Sequence, residues 1–514
     1  MDTVAFLATG IATAFSGWNF VYVLIGAFVG TWIGMLPGLG PSTGIALLLP
    51  LTYGLDPTGG MIMLCGIYFG SMYGGSISSI LLNTPGDVSS VITMLDGNPM
   101  ARRGRGGAAL FCAAVASFIG GSVGLVGLTF LAEPIARFAL RFGPAEYFAL
   151  MTFALIATAT LMQGAAVKGL MAIVIGLMIA TVGIDLQSGA ARFTMNSPNL
   201  FDGISLIAVI IGLFGISEVF TNIQEIMARR WGKVETVGRL WMEPSEWKRC
   251  RFSFLRGSVI GFMVGVVPGA GGAVATLLSY AAERRSSRHP EEFGKGAIEG
   301  VAGPEAANNA SVGGALIPLF TLGLPGSSAT AILLGALMIF GIQPGPHLFT
   351  ENPDLVWGII GSLYVANVVL VILNIPFIGI FVRMLMMPGA PLNAIILLLA
   401  VTGAYSLNNN VFDIQVALVF GVIGFLLRSA QVPLAPLVLA VALGGGLEQS
   451  LRQALSLSDG DPAGLVPSGI AAVFLGLSAL LVLLAAILPA TRLMSPRNRA
   501  LRRAAKKEKR PQTQ

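Results

Sequence analysis

Two glycine–proline runs and two later Pro-Gly steps supply the groups through which this chain could act on a solute. Gly26 to Gly40 reads GAFVGTWIGMLPGLG, and Gly257 to Gly271 reads GSVIGFMVGVVPGAG. Gly and Pro coincide in register at Gly26/Gly257, Gly30/Gly261, Gly34/Gly265, Pro37/Pro268, Gly38/Gly269 and Gly40/Gly271. GxxxG spacing serves close helix packing, but packing does not require the PGxG ending, so the two runs read as copies of one unit. A second matched pair follows. Tyr73-Gly74-Gly75 leads to Asn83-Thr84-Pro85-Gly86, and Val312-Gly313-Gly314 leads to Gly323-Leu324-Pro325-Gly326, with gaps that differ by one residue.

The chemistry follows from what a broken helix exposes. Breaks are predicted at Pro37–Pro41, Asn83–Asp87, Pro268–Gly272 and Gly323–Ser328. A helix restarting after a break presents free N–H groups and a dipole end of roughly half a positive charge. Four such ends converging would hold an anion such as a carboxylate, and the freed carbonyls could coordinate Na⁺. The expected substrate- and ion-binding residues are Gly38, Gly40, Ser42, Thr43, Asn83, Thr84, Gly86, Gly269, Gly271, Gly272, Asn308, Asn309, Gly326, Ser327 and Ser328. Asp87 and Glu305 are the candidates for coupling a cation or a proton, each set against the plainer reading that it caps its helix. Pro304 suits the first turn of a helix and would place Glu305 at its positive end. Asn408, Asn409 and Asn410 read as a turn.

Such breaks need long apolar elements around them, and the composition supplies these. Apolar residues make up 54% of 514 positions and charged residues 11%, with a mean hydropathy of +0.80. Soluble domains carry about 25% charged residues. Apolar runs such as Ile470 to Leu488 suit a ~30 Å hydrocarbon core at 1.5 Å per helical residue and are too long for barrel strands. The expected fold class is an all-α polytopic membrane protein. Its net charge of +6 does not point to a nucleic-acid partner, because the basic residues gather in short flanks and in the tail from Arg492 to Arg510. The N-terminus has Asp2 and no basic residue before its first apolar stretch, so it lacks the n-region of a cleaved signal peptide. Cys65, Cys112 and Cys250 are scattered and indicate neither a disulfide framework nor a zinc site.

Charge placement orients the elements, since short basic flanks stay cytoplasmic. Lys248, Arg249, Arg251 and Arg256 precede Pro268, and Arg284, Arg285 and Arg288 follow Gly271. Gly257 to about Glu283 therefore reads as a re-entrant hairpin with arms of about 12 residues, or ~18 Å. The first-half counterpart has no basic flank and enters from the periplasm. One broken span leads from Gly59 to Arg102, Arg103 and Arg105, and another runs from Gly303 to Ile342. Simple spans are expected near 107–131, 145–162, 165–183, 203–225, 355–382, 391–406, 411–428, 434–447 and 465–489. The plan is an apolar segment 1–19, a first inverted repeat 20–225, a basic linker 226–252, and a second inverted repeat 253–460. A final span 461–490 and a basic cytoplasmic tail 491–514 complete it, as in secondary transporters.

Enzyme chemistry has little support: His289 and His347 fall in loops, and no Ser/His pair, paired acids or metal cluster lies at membrane depth. A channel would need rings of like groups, so a receptor-independent organic-anion channel or carrier is the alternative reading.

At these residues the chain resembles the TctA family, the large membrane subunit of tripartite tricarboxylate transporters. The resemblance rests on GTWIGMLPGLGPSTGIALLLPLTYGLDP, YFGSMYGGSISSILLNTPG, VPGAGG and GPEAANNASVGGALIPLFTLGLPGS, and runs from about Ser16 to Leu488. It implies a periplasmic solute-binding protein and a small four-helix membrane subunit as partners. It also implies a citrate-like carboxylate as substrate, Na⁺ as coupling ion, no cofactor, and a bacterial inner-membrane location. The implied fold is elevator-like, and the PGLG and PGAG tips with the two PG breaks would form the site.

Overall fold

Lipid leaves backbone N–H and C=O groups no partners outside their own helix, and helices dominate the computed structural model of this chain. The structure describes residues 3–161, 166–185, 187–227, 235, 237–385 and 389–494. The basic positions Arg229, Arg230, Lys233, Arg502, Arg503, Lys506 and Lys507 lie outside them. Among the described residues, eight helices are long and apolar enough to cross a membrane. The chain is an all-α polytopic membrane protein. Among the described residues, one ribbon pairs Gly183–Ile184 with Ala191–Arg192.

Both PGxG runs turn a helical hairpin. In the first, Asn19–Met35 ends at extended Leu36 (ψ 123°), and Gly40–Thr52 returns. In the second, Pro244–Val266 ends at extended Val267 (ψ 117°), and Gly271–Ser286 returns. Gly38 and Gly269 hold φ of +83° and +80° at the two turns, a region that glycine enters without steric cost. The second hairpin's first arm has 23 residues, longer than the sequence suggests. Glu243 and Glu246 form a capping box that starts the helix within the polar segment, and ion pairs of Arg249 with Glu299 and of Arg256 with Glu283 accommodate its charges. Residues 244–252 are therefore helical.

The broken spans match as closely. Pro57–Leu82 ends at left-handed Asn83 (φ 56°), and Glu299–Leu322 ends at left-handed Gly323 (φ 67°). Asp87 with Ser90, and Ser327 with Thr330, then form reciprocal caps that restart the helices Val88–Ser90 (continued by Val91–Met100) and Ser328–Ile339. Each hairpin's first arm lies against its broken span through glycines. A Cβ at Gly30 would sit 2.7 Å from Ile67 Cα, and one at Gly265 would sit 2.8 Å from Ser311 Cα. Gly74 faces Thr31 and Met35 as Gly314 faces Phe262 and Val266. Gly314, rather than Gly313, is thus the counterpart of Gly74, and the one-residue difference in the gaps disappears.

Pro304 and Glu305 depart from expectation. The helix begins at Glu299, so both lie inside it, and Glu305 is wholly buried. Just ahead, Asp96 accepts from Gly296 and Ala297 N–H at 2.7 and 2.9 Å, which moves the start of the helix upstream. Thr3–Phe15 precedes the first hairpin, and the other long first-half helices run Gly106–Ala139, Pro144–Leu161, Ala166–Ala180, and Leu206–Ile210 through a π-helical turn Ile211–Ile216 into Ser217–Met227. In the second half they are Pro353–Asn374, Ile378–Leu385, Gly389–Asn408, Val411–Ser429, Leu434–Leu457 and Gly469–Met494. The expected span 355–382 is split near Pro376, which has no N–H to continue a helix. Asn410 caps Val411–Ser429 through Phe412 N–H at 2.9 Å, as a turn there requires.

The ribbon loop is anchored by charge. Asp185 accepts from Ser188 and Gln187 N–H, each at 2.9 Å, and pairs with Arg452 and Arg192. These hydrogen bonds, aided by the two guanidinium groups, hold its carboxyl at about 2, below the ordinary 3.8. A depressed carboxylate pKa contributes stability that is complete above the unfolded value and lost as pH falls through the folded one. Protection factors (exchange corrected for the intrinsic rate at each pH) of the Gly183–Ile184 and Ala191–Arg192 amides are therefore expected to hold from neutral pH down to about pH 4 and to fall as pH approaches about 2. Asp185→Asn should remove that acid-dependent step.

Candidate functional site

The four restarted helices point their first turns at one cavity of about 480 Å³, a size typical of small-molecule sites. Gly38, Gly40, Pro41, Ser42 and Thr43 line it from the first hairpin, and Gly269 to Val274 from the second. Asp87, Val88 and Ser89 come from the first break, and Pro325, Ser327, Ser328 and Ala329 from the second. A fifth helix start, Pro433 to Ala435, closes another side. Helix N-termini favour anions through unsatisfied N–H groups and the dipole.

Hydrogen bonds tie tips to breaks. Gly40 N–H donates to Gly86 O at 3.2 Å, and Gly269 N–H donates to Gly326 O at 3.1 Å. Tyr68, on the first broken span, meets Ser327 Oγ of the second at 3.1 Å, so the halves are linked directly. Thr43 Oγ1 donates to Phe214 O at 3.4 Å within the π-helical turn.

Of the residues expected to bind, Gly38, Gly40, Ser42, Thr43, Gly269, Gly271, Gly272, Ser327, Ser328 and Asp87 line the cavity. The others do not. Asn83 is an exposed left-handed cap, Thr84 donates to Leu82 O, and Gly86 and Gly326 brace the tips through their carbonyls. Their backbone geometry is the signature of a break, which the sequence could not separate from contact with a ligand. Asn308, Asn309 and Glu305 form a buried polar layer behind the second tip. Glu305 accepts from Thr93 and from Ser117 (3.5 Å), and Asn309 donates to Ser117 Oγ at 2.7 Å. The Asn308 and Asn309 side-chain oxygens are buried without a hydrogen-bond donor among the described residues. Asn308 Oδ1 lies beside the second tip, 3.1 Å from where a Gly272 Cβ would stand. Asp87 caps its helix, accepting from Ser89 N–H and Ser89 Oγ on one oxygen, while the other turns toward Gly40.

Sequence reading missed Tyr68, Met72, Thr158, Phe214, Gln431 and Arg428, which also line the cavity. Arg428 ends an apolar run and reads as an ordinary flank of a span. Glu218, its partner, reads the same way. Among the described lining residues, Asp87 and Arg428 are the charged pair.

Apolar spans, two helical hairpins and a cavity built from helix starts define a polytopic membrane protein organised around a solute-sized site. The chain belongs to the tripartite tricarboxylate transporter TctA family, which matches residues 20–439. This is a family of transporters, not of enzymes. The chain is 44% identical over 492 residues to an uncharacterised 52.8 kDa protein in the TAR-I ttuC' 3' region of Agrobacterium vitis, covering 96% of this chain and 98% of the relative. An uncharacterised protein in the TAR-II ttuC' 3' region of the same organism is 46% identical over 232 residues, covering 45% of this chain and 96% of the relative.

Proposed function

We propose that this chain is the large subunit of a Na⁺-coupled importer that takes up a carboxylate handed over by a periplasmic solute-binding protein. A small four-helix subunit accompanies it in the bacterial inner membrane, and its C-terminus is cytoplasmic. The observation that carries this reading is the meeting of two hairpin tips and two restarted helices at one cavity. The matched breaks support two inverted repeats, in which each hairpin and its broken span form one half of an elevator-like moving domain. The glycine contacts within each half support that grouping.

Na⁺ coupling draws support from the donor chemistry. A buried acceptor without a donor costs about 1–3 kcal/mol, and Asn308 Oδ1 is such an acceptor beside the second tip. Oxygen ligands suit a hard cation. Asn308, with Ser89 and Ser311 nearby, would hold Na⁺, whose charge would offset that of the carboxylate. The tips then exclude water and bind the anion through their N–H groups.

The test is uptake of labelled citrate into proteoliposomes that hold this chain with its small subunit. Receptor is added outside and an inward Na⁺ gradient is imposed. Uptake should require both. Uptake indifferent to receptor and Na⁺ would replace this reading with the channel alternative.

A further inference from the structure

We propose that Arg428 grips a carboxylate of the transported anion through its Nε–Nη2 edge, and that Glu218 is the positioning residue that holds this guanidinium at the cavity. The inference rests on the carboxylate-transport reading and adds the residue that selects for the anion.

The sequence places Arg428 by helix packing. Gly421 and Gly424 let Val411–Ser429 approach the π-helical turn. A Cβ at Gly421 would stand 2.5 Å from Ile216 Cγ2, and one at Gly424 would stand 2.9 Å from Ser217 Cβ. Arg428 follows Gly424 by four residues, on the same face one turn later. There its Nη1 meets Glu218 Oε2 in an ion pair. The π-helical turn ends at Ile216, two residues before Glu218, and such turns redirect the side chains that follow them.

Exposure and donor count point the same way. The Glu218 side chain is 1% exposed and that of Arg428 is 26% exposed, so the carboxylate is hidden while the guanidinium reaches the cavity. Guanidinium carries five donors in a planar fork that matches a carboxylate in bidentate fashion. Glu218 takes Nη1, and among the described residues no protein acceptor reaches Nε or Nη2. Glu218 Oε1 also lies 2.7 Å from where a Gly38 Cβ would stand. The same acid thus fixes the guanidinium and abuts the first tip, which places the Arg428 fork beside Gly38 and the helix starts. A neutral solute can accept only ordinary hydrogen bonds from such a fork, whereas a carboxylate accepts both N–H groups at once and is drawn by the part of the positive charge that Glu218 leaves unscreened.

The purified full-length chain in Na⁺ buffer is titrated with acetate, succinate and citrate. Arg428→Gln should weaken citrate binding at least about tenfold and flatten the preference for citrate over acetate, while Na⁺-induced thermal stabilisation persists. Arg428→Lys, which keeps charge and loses the fork, should fall between. Glu218→Ala should weaken citrate binding, and Glu218→Gln, which can still accept from Nη1, should restore part of it. A structural role alone would not change selectivity with carboxylate number. If the Gln variant does not fold, Arg428→Lys decides, and citrate affinity within about twofold of the unaltered chain overturns the inference. The same result in Arg428→Gln overturns it while leaving the transport reading intact. Failure of the unaltered chain to bind any of the three anions overturns both.

Discussion

Gly269→Ala is expected to lower carboxylate uptake at least about tenfold while membrane insertion persists, an effect that needs only about 1.4 kcal/mol at the tip. Two independent costs together exceed that. The residue holds φ +80°, where a Cβ costs roughly 1–2 kcal/mol. The added Cβ also meets Thr158 at its Cα and, 2.6 Å away, at its N. Thr158 Oγ1 is also in the way, but the Cα and N are backbone, so Thr158→Gly should not restore full uptake. Gly38 offers a graded comparison. Its φ is +83°, but the obstacle is the end of the Glu218 side chain at 2.7 Å, which can give way more readily. Gly271, at φ +59° with nothing within 4 Å, carries the conformational cost alone. Damage should fall in the order Gly269, Gly38, Gly271. Wild-type uptake in Gly269→Ala would remove the tip from the site.

Asn308→Leu should raise the Na⁺ requirement of uptake at least about tenfold and leave the Na⁺-free protein about as stable as before. The retained stability distinguishes this from simple damage. Asn308 is 0% exposed, its Nδ2 donates to Met72 O at 3.4 Å, and its Oδ1 has no donor among the described residues. Replacing a buried unsatisfied amide with an apolar group of similar shape relieves about 1–3 kcal/mol of desolvation and forfeits the long bond to Met72 and the contact with Glu305. A purely structural asparagine would therefore lose little, and Na⁺ dependence would survive. If the oxygen serves a cation, the Na⁺ concentration for half-maximal uptake should rise at least about tenfold, equivalent to losing about 1.4 kcal/mol of binding. An unchanged Na⁺ requirement in a well-folded Asn308→Leu protein would dismiss the assignment.

The hairpin tips and both breaks were legible because glycine and proline act on the backbone within a few residues. Left-handed geometry at Gly38, Gly269 and Gly323 has few other solutions. The caps at Asp87 and Ser327 are local in the same way. Long-range placement was not legible. Arg428 and Glu218 are separated by 210 residues, and each looks like the polar end of a span until two glycines and a π-helical turn bring them together. Glu305 misled for a related reason. Pro304 commonly opens a helix, but Asp96 captures the N–H groups of Gly296 and Ala297 upstream, and the helix starts earlier.

The glycine seams between each hairpin and its broken span have a mechanical consequence. At Gly30, Gly34, Gly261 and Gly265 the opposing atoms are main chain, which has no rotamers with which to absorb a slip. Sliding one helix past the other by even a fraction of a turn would drive carbonyls into α-carbons, so each arm and its neighbour must travel as a single stiff body. Gly120, Gly124 and Gly313 join helix Gly106–Ala139 to the second broken span through main-chain atoms in the same way, so that helix belongs to the same stiff unit as the second hairpin's first arm.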